Sequence, residues 1–156
     1  MNHLQILSFK EKNQIQNKLN QQFGINNIPG ILAMRGKERI FLYSGSLLGK
    51  ELNELEKISF IERMGVYFAK MDERTKDLRL SIEGTQLLKD EIKKNIFEIP
   101  DSEVENWMKG RELNIKTGEH GFLVMKHKND FLGTGKASEE KIGNFIPKNR
   151  RLKEKN

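Results

Sequence analysis

The sequence predicts an α+β protein of two small units, an N-terminal α/β layer over residues 1–75 followed by a compact β-pseudobarrel over residues 76–156. Three observations predict it. Ser8-Phe-Lys-Glu11 has the form of a capping box, and Ile15, Leu19 and Phe23 recur every four residues behind it until Gly24. From Ile31 onward the apolar runs are short, rich in β-branched and aromatic residues and punctuated by glycine, as strands are. Residues 121–156 carry nine Lys and Arg against four Asp and Glu, so +5 (nine minus four) of the chain's formal +6 lies in this last part.

The first unit opens with a helix over residues 9–23, stopped by Gly24. A loop through Pro29 and Gly30 leads to a hairpin whose strands, residues 31–34 and 39–43, flank the turn Arg35-Gly-Lys-Glu38. Ser44 and Gly45 break the chain. Leu52, Leu55 and Ile58 then have helical spacing, and residues 66–70 read as a strand, giving the order α-β-β-α-β. The hexapeptide Asp72-Glu-Arg-Thr-Lys-Asp77 is charged and without pattern, and is expected to be a linker.

In the second unit, residues 78–81 lead into a short helix over 82–89 with Gly84 near its start. Residues 96–99 form a strand ended by Pro100. Asp101 or Ser102 caps a helix carrying Val104, Trp107 and Met108, which Gly110 terminates. Strands are expected over 112–116 and from Gly121, where Phe122 and Val124 alternate with Leu123 and Met125, so that both faces are covered. Asn129-Asp130 suits a tight hairpin turn into Asp130-Phe-Leu-Gly-Thr-Gly-Lys136. Trp107, Phe131 and Phe145 are assigned to the core, and Gly133 and Gly135 to bends and close backbone approaches of a small barrel.

Composition excludes several classes. With 156 residues, 36% apolar and 32% charged, the chain has much surface for its core. No cysteine is present, which removes disulfides, thiolate metal sites and a cysteine nucleophile. His3, His120 and His127 are scattered, so neither a metal nor another cofactor is expected. No leader-like run and no stretch of roughly 20 apolar residues occurs, so a cytoplasmic protein without membrane contact is expected. Leu132-Gly-Thr-Gly-Lys136 fails as a phosphate loop, because Asp130 and Ala137 stand where glycine and Ser or Thr are required. No nucleophile–base–acid constellation is apparent, and the chain is expected not to be an enzyme. The charge bias of the last part has the electrostatic form of a nucleic-acid-binding surface.

Gly121-Phe122, Leu132-Gly-Thr-Gly-Lys136 and Asn144-Phe-Ile-Pro-Lys-Asn-Arg150, with Arg79-Leu-Ser-Ile-Glu-Gly84 before the first short helix, resemble a PUA domain. The likeness is to the PUA-like C-terminal module of the Fmu/nucleolar-protein family of RNA cytosine-5 methyltransferases. The unit before it is similar in layout to the pre-PUA domain of stand-alone ribosome-biogenesis factors. The chain departs from the methyltransferases in lacking their methyl-donor domain and their cysteine nucleophile. The resemblance therefore implies a non-catalytic protein that binds structured RNA (rRNA or tRNA) in ribosome biogenesis or RNA modification, with assembly or modification proteins as further partners. Alternatives are an RNA-binding subunit of a separate methyltransferase and a protein–protein adaptor.

The RNA-contacting residues implied are Arg79, Lys126, His127, Lys128, Lys136, Asn144, Lys148, Arg150 and Arg151. RNA shape and sugar hydroxyls would be read in preference to bases, since the deep major groove of A-form RNA admits side chains poorly. Arg35, Lys37 and Arg39 on the first hairpin offer a secondary contact. Reversing the charge of Lys148, Arg150 and Arg151 together is expected to weaken RNA binding and flatten its salt dependence; unchanged binding would remove the basic ending from the site.

Overall fold

The capping box at Ser8 forms as the sequence requires. Glu11 donates its backbone N–H to the Ser8 hydroxyl at 3.2 Å while the Glu11 carboxylate accepts the Ser8 N–H at 2.7 Å. The helix it starts, α1 (Phe9–Phe23), ends at Gly24 in the left-handed region, φ 74°. In this computed structural model, which describes residues 3–45, 49–58 and 65–154, α1 follows a short strand β1 (Leu4–Ile6). Then come β2 (Ile31–Arg35), β3 (Arg39–Tyr43), α2 (Gly49–Ile58), β4 (Val66–Met71) and β5 (Leu78–Leu80). The five strands form one antiparallel sheet in sequence order. Ile15, Leu19 and Phe23 of α1 pack on one face against Leu32, Ile40 and Phe68; Leu52 of α2 packs with Leu4, Ala33 and Phe41 on the other. β1 is absent from the sequence reading, since three residues are too few to display a period of two.

The expected linker is instead an ordered hairpin turn. The Asp72 carboxylate accepts the backbone N–H groups of Arg74 and Thr75, both at 2.9 Å, and Lys76 takes φ 64° before the chain reverses into β5. A run of polar residues reads alike whether it is a linker or an Asx-type turn; the aspartate at its first position was the distinguishing signal. The expected division at residues 75 and 76 falls inside this turn, one strand before the first sheet ends. The outer backbone groups of β5 are met by a side chain. Gln22 donates its amide to the Leu78 carbonyl at 3.0 Å and accepts the Leu78 N–H at 2.7 Å.

The second half adds α3 (Ile82–Leu87), β6 (Ile96–Glu98), α4 (Val104–Met108), β7 (Gly121–His127), β8 (Asp130–Ala137), β9 (Ile142–Gly143) and a single 3-10 turn over Lys148–Arg150. β6 runs parallel to β7, while β7–β8 and β8–β9 are antiparallel. Both faces of β7 are covered, as expected. Val124 joins the core shared with the first sheet, and Leu123 and Met125 join a second core around Trp107. Trp107 is fully buried and donates its indole N–H to the Leu132 carbonyl at 2.9 Å.

Gly133 takes φ 85°, and a Cβ on Gly135 would stand 2.6 Å from Ile142 Cγ2, so both glycines have the bending and close-approach roles expected of them. The strand anticipated at 112–116 is reduced to one bridge between Leu113 and Ile142. α4 begins later than read. Glu103 occupies its N-cap position without a side-chain capping bond, its carboxylate accepting the Asn106 amide at 3.1 Å, while Asp101 meets His127. The β7–β8 turn consists of Lys128 (φ 54°) and Asn129, one residue earlier than expected.

The two sheets meet at α3. The Ser81 hydroxyl accepts the Gly84 N–H at 3.0 Å and donates to the Tyr67 and Phe68 carbonyls of β4. Thr85, wholly buried, donates to the Ile82 carbonyl at 2.7 Å and accepts the Gly133 N–H of β8 at 3.2 Å. A Cβ on Gly84 would collide with the Phe68 carbonyl oxygen. Gly84→Ala is therefore expected to destabilise the fold by about 1–3 kcal/mol, through overpacking. Gln22→Ala, which leaves the Leu78 N–H and carbonyl unmet, should also lose about 1–3 kcal/mol. Urea unfolding of each variant beside the parent chain measures both.

Candidate nucleic-acid interface

Where the first sheet meets the C-terminal segment there is a cleft of about 570 Å³. Its walls come from β3 to β5 on one side and from Phe145, Pro147 and Arg150 on the other. Arg39, Lys70, Arg79 and Arg150 line it, against a single carboxylate among the described lining residues, Glu83. Lys70 pairs with Glu38 at 3.1 Å, and Arg150 pairs with Glu83. Arg39 and Arg79 have no carboxylate partner among the described residues. Thr134 lines the cleft while only 3% exposed, and its hydroxyl has no hydrogen-bond partner.

Along one side, two adjoining aromatic rings lie between two cations. The Arg79 guanidinium lies 4.1 Å from the centre of the Phe145 ring. Phe145 meets Phe122 edge-on at 6.2 Å, and Lys136 Nζ lies 5.7 Å from the Phe122 ring centre. Phe145 is 37% exposed, so its assignment to the core is corrected: it walls the cleft, whereas Phe131 is buried. Its sequence context could not separate the two, as both are phenylalanines beside apolar residues in glycine-punctuated strands.

A second pattern crosses the first sheet. The register sets Arg35 opposite Arg39, Arg39 opposite Lys70, and Lys70 opposite Arg79. Four cations thus stand in one row over β2 to β5. Like charges directly opposite one another on a sheet destabilise it, typically by a few tenths to about 1 kcal/mol per pair. Of these, only Arg79 was singled out by resemblance and Arg35 and Arg39 as a secondary contact; Lys70 was missed. Its signal was the strand alternation, which becomes informative only with the cross-strand register.

The other implied residues separate into groups. Lys126, His127 and Lys128 gather at the β7–β8 turn beside acids: Glu98 is the register partner of Lys126 and accepts the Lys128 N–H at 2.7 Å, and His127 Nε2 lies 2.7 Å from Asp101 Oδ1. Lys126 also stands 5.7 Å from the Phe131 ring centre. Arg79, Lys136 and Arg150 belong to the cleft and its aromatic margin. Asn144 turns inward, donating to the Trp107 and Arg111 carbonyls at 2.8 and 3.0 Å and accepting the Ile146 N–H at 2.8 Å. Arg151 lies across Gly110 and donates Nε–H to the Ile146 carbonyl at 2.8 Å. Lys148 is exposed. No group of three or more potential metal-ligating side chains occurs among the described residues, and no helix there is long and apolar enough to cross a membrane.

Residues 94–152 match the family model of the methyltransferase RsmF PUA domain. The match covers β6 to the 3-10 turn, and hence Phe122, Lys136, Phe145 and Arg150, but none of the first sheet. No curated protein matches the chain.

Asp101 is held below the ordinary aspartate range, chiefly by its hydrogen bond with His127 and then by the charge of Lys128. Asp72 is lowered as well, first by the Thr75 N–H. A carboxylate lowered in the folded state stabilises that state at pH above its ordinary value, and the contribution disappears as pH falls through the folded value. Thermal unfolding followed from about pH 7 downward is therefore expected to lose stability below about pH 4. Asp101→Asn should make that acid limb shallower by lowering stability near neutral pH, while the acid end, where the carboxylate is protonated, stays nearly unchanged.

Proposed function

We propose that this PUA-domain protein, whose module resembles that of the Fmu methyltransferases, binds structured RNA without performing chemistry of its own. The observation that carries the reading is the strip Arg79–Phe145–Phe122–Lys136, in which two cations flank a pair of partly exposed rings beside a cationic cleft. Phosphate attraction supplies affinity for any nucleic acid, whereas rings add contacts that a simple basic patch lacks. The PUA match supports RNA as the polyanion. The process we favour is ribosome biogenesis or RNA modification in the cytoplasm, with rRNA or tRNA as the target. A second reading, an RNA-binding subunit serving a separate methyltransferase, is favoured by the methyltransferase origin of the matched domain. Gain of activity by such an enzyme on addition of this chain would select it.

Fluorescence anisotropy with a folded RNA hairpin tests the reading. Log affinity should fall linearly with log salt, and Lys136→Gln should reduce the slope by about 0.9, the value for one duplex phosphate contact. Lys116→Gln, at an exposed residue paired with Glu140, should leave it unchanged. Affinity independent of salt, or equal effects of the two variants, would overturn the assignment of the strip.

A further inference from the structure

We infer that the first sheet, outside the matched PUA segment, supplies half of the RNA site: an unpaired strand lies along the Arg39–Lys70–Arg79 row and places one base in the cleft against Phe145. The inference rests on the RNA reading above and names the kind of RNA. It begins from an electrostatic conflict. The register brings Arg39, Lys70 and Arg79 directly opposite one another on adjacent strands, and among the described residues only Lys70 has a carboxylate beside it, Glu38 at 3.1 Å. Neighbouring strands are about 4.8 Å apart, so the row spans roughly 10 Å of repelling charge. A folded sheet retains such a local conflict where a ligand relieves it. A chain of phosphates has the right charge and the right linear form.

The cleft at the end of this row decides between paired and unpaired RNA. A duplex presents phosphates and sugars while its bases remain stacked inside, so it has nothing to insert into a cavity of about 570 Å³. That volume lies within the usual range of small-ligand pockets, roughly 300–1,000 Å³. The lining matches a base. Phe145 offers a partly exposed ring, with the flat Arg79 guanidinium already stacked on it. Thr134 provides a buried hydroxyl without a partner, and Glu83 an acceptor for an exocyclic amino group. A bound phosphate would need neither the rings nor the neutral hydroxyl.

The test compares two RNAs, a blunt hairpin whose strands are joined by a non-nucleotide linker, so that every base is paired, and the same hairpin with an unpaired bulge, using the full chain. The bulged RNA should bind more tightly. In Arg39→Gln/Lys70→Gln the salt slope for bulged RNA should fall by about 1.4, two single-strand phosphate contacts at about 0.7 each. Phe145→Leu, which keeps an apolar side chain and removes the ring, should weaken the bulged RNA by roughly 5- to 150-fold, the range for losing one base–aromatic stack. The blunt hairpin, which can meet the cations with its phosphates but has no base to insert, should respond to both variants much less. Because the charge variant removes like-charge repulsion together with the exposed Lys70–Glu38 pair, which is of small worth, its melting temperature should change little; a large fall would assign those cations a structural role and overturn the inference. Equal binding of the two hairpins, or bulged-RNA binding indifferent to these variants, would overturn it and leave the RNA reading standing. Failure of the parent chain to bind either hairpin would overturn both.

Discussion

α3 can lie against β4 only because residue 84 has no side chain, and the position of nearly everything of interest follows from that contact. The Ser81 hydroxyl bridges the Tyr67 and Phe68 carbonyls to the Gly84 N–H, so the helix start and the strand are joined by the same atom. From the far side of the helix, Thr85 accepts the Gly133 N–H, and Gln86 donates to the Phe131 carbonyl at 3.3 Å. The second sheet is thereby held at a fixed separation from the first. The core confirms the junction, since Val124 and Phe131 share one apolar cluster with Leu19, Phe23 and Phe68. The cleft is the part of this junction that apolar side chains do not fill.

The cations gain meaning from what surrounds them. Those at the β7–β8 turn stand among Glu98 and Asp101, which reduces the field they present. Asn144 and Arg151 spend their hydrogen bonds on carbonyls of the chain and hold the C-terminal segment against α4. Arg39, Lys70 and Arg79 stand opposite one another across the sheet, and Arg79 and Lys136 flank the Phe145–Phe122 pair. Charge density along the sequence pointed to the C-terminal third; the three-dimensional concentration draws equally on strands from the first half.

Local signals were legible in the sequence because local chemistry sets them. The capping box, the Gly24 stop, the first hairpin and the doubly covered β7 all express a rule acting within a few residues. So does the burial of Trp107, which needed only helical spacing with Val104 and Met108. The failures required long-range information. The Asp72–Asp77 turn differed from a linker only in its leading aspartate, a signal that gains weight once β5 is seen to return to β4, and Phe145 could be separated from core phenylalanines only by the side chains it failed to meet. The basic row needed the register of four strands before it existed as a feature at all. Arg79 and Arg39 could be named one by one from the sequence, but Lys70, and the fact that the three stand together, were invisible to any reading that follows the chain in one dimension.

Gln22 ends the first sheet in a way that bears on the molecule in company. Its amide presents to Leu78 the same donor and acceptor that another strand would present. A peptide edge left open is a template on which a neighbouring chain can assemble. Here one helical side chain imitates that neighbour and occupies its place. At Leu78 an approaching chain therefore finds the opening for a sixth strand already taken, and that side of the sheet meets other molecules through side chains rather than through its backbone.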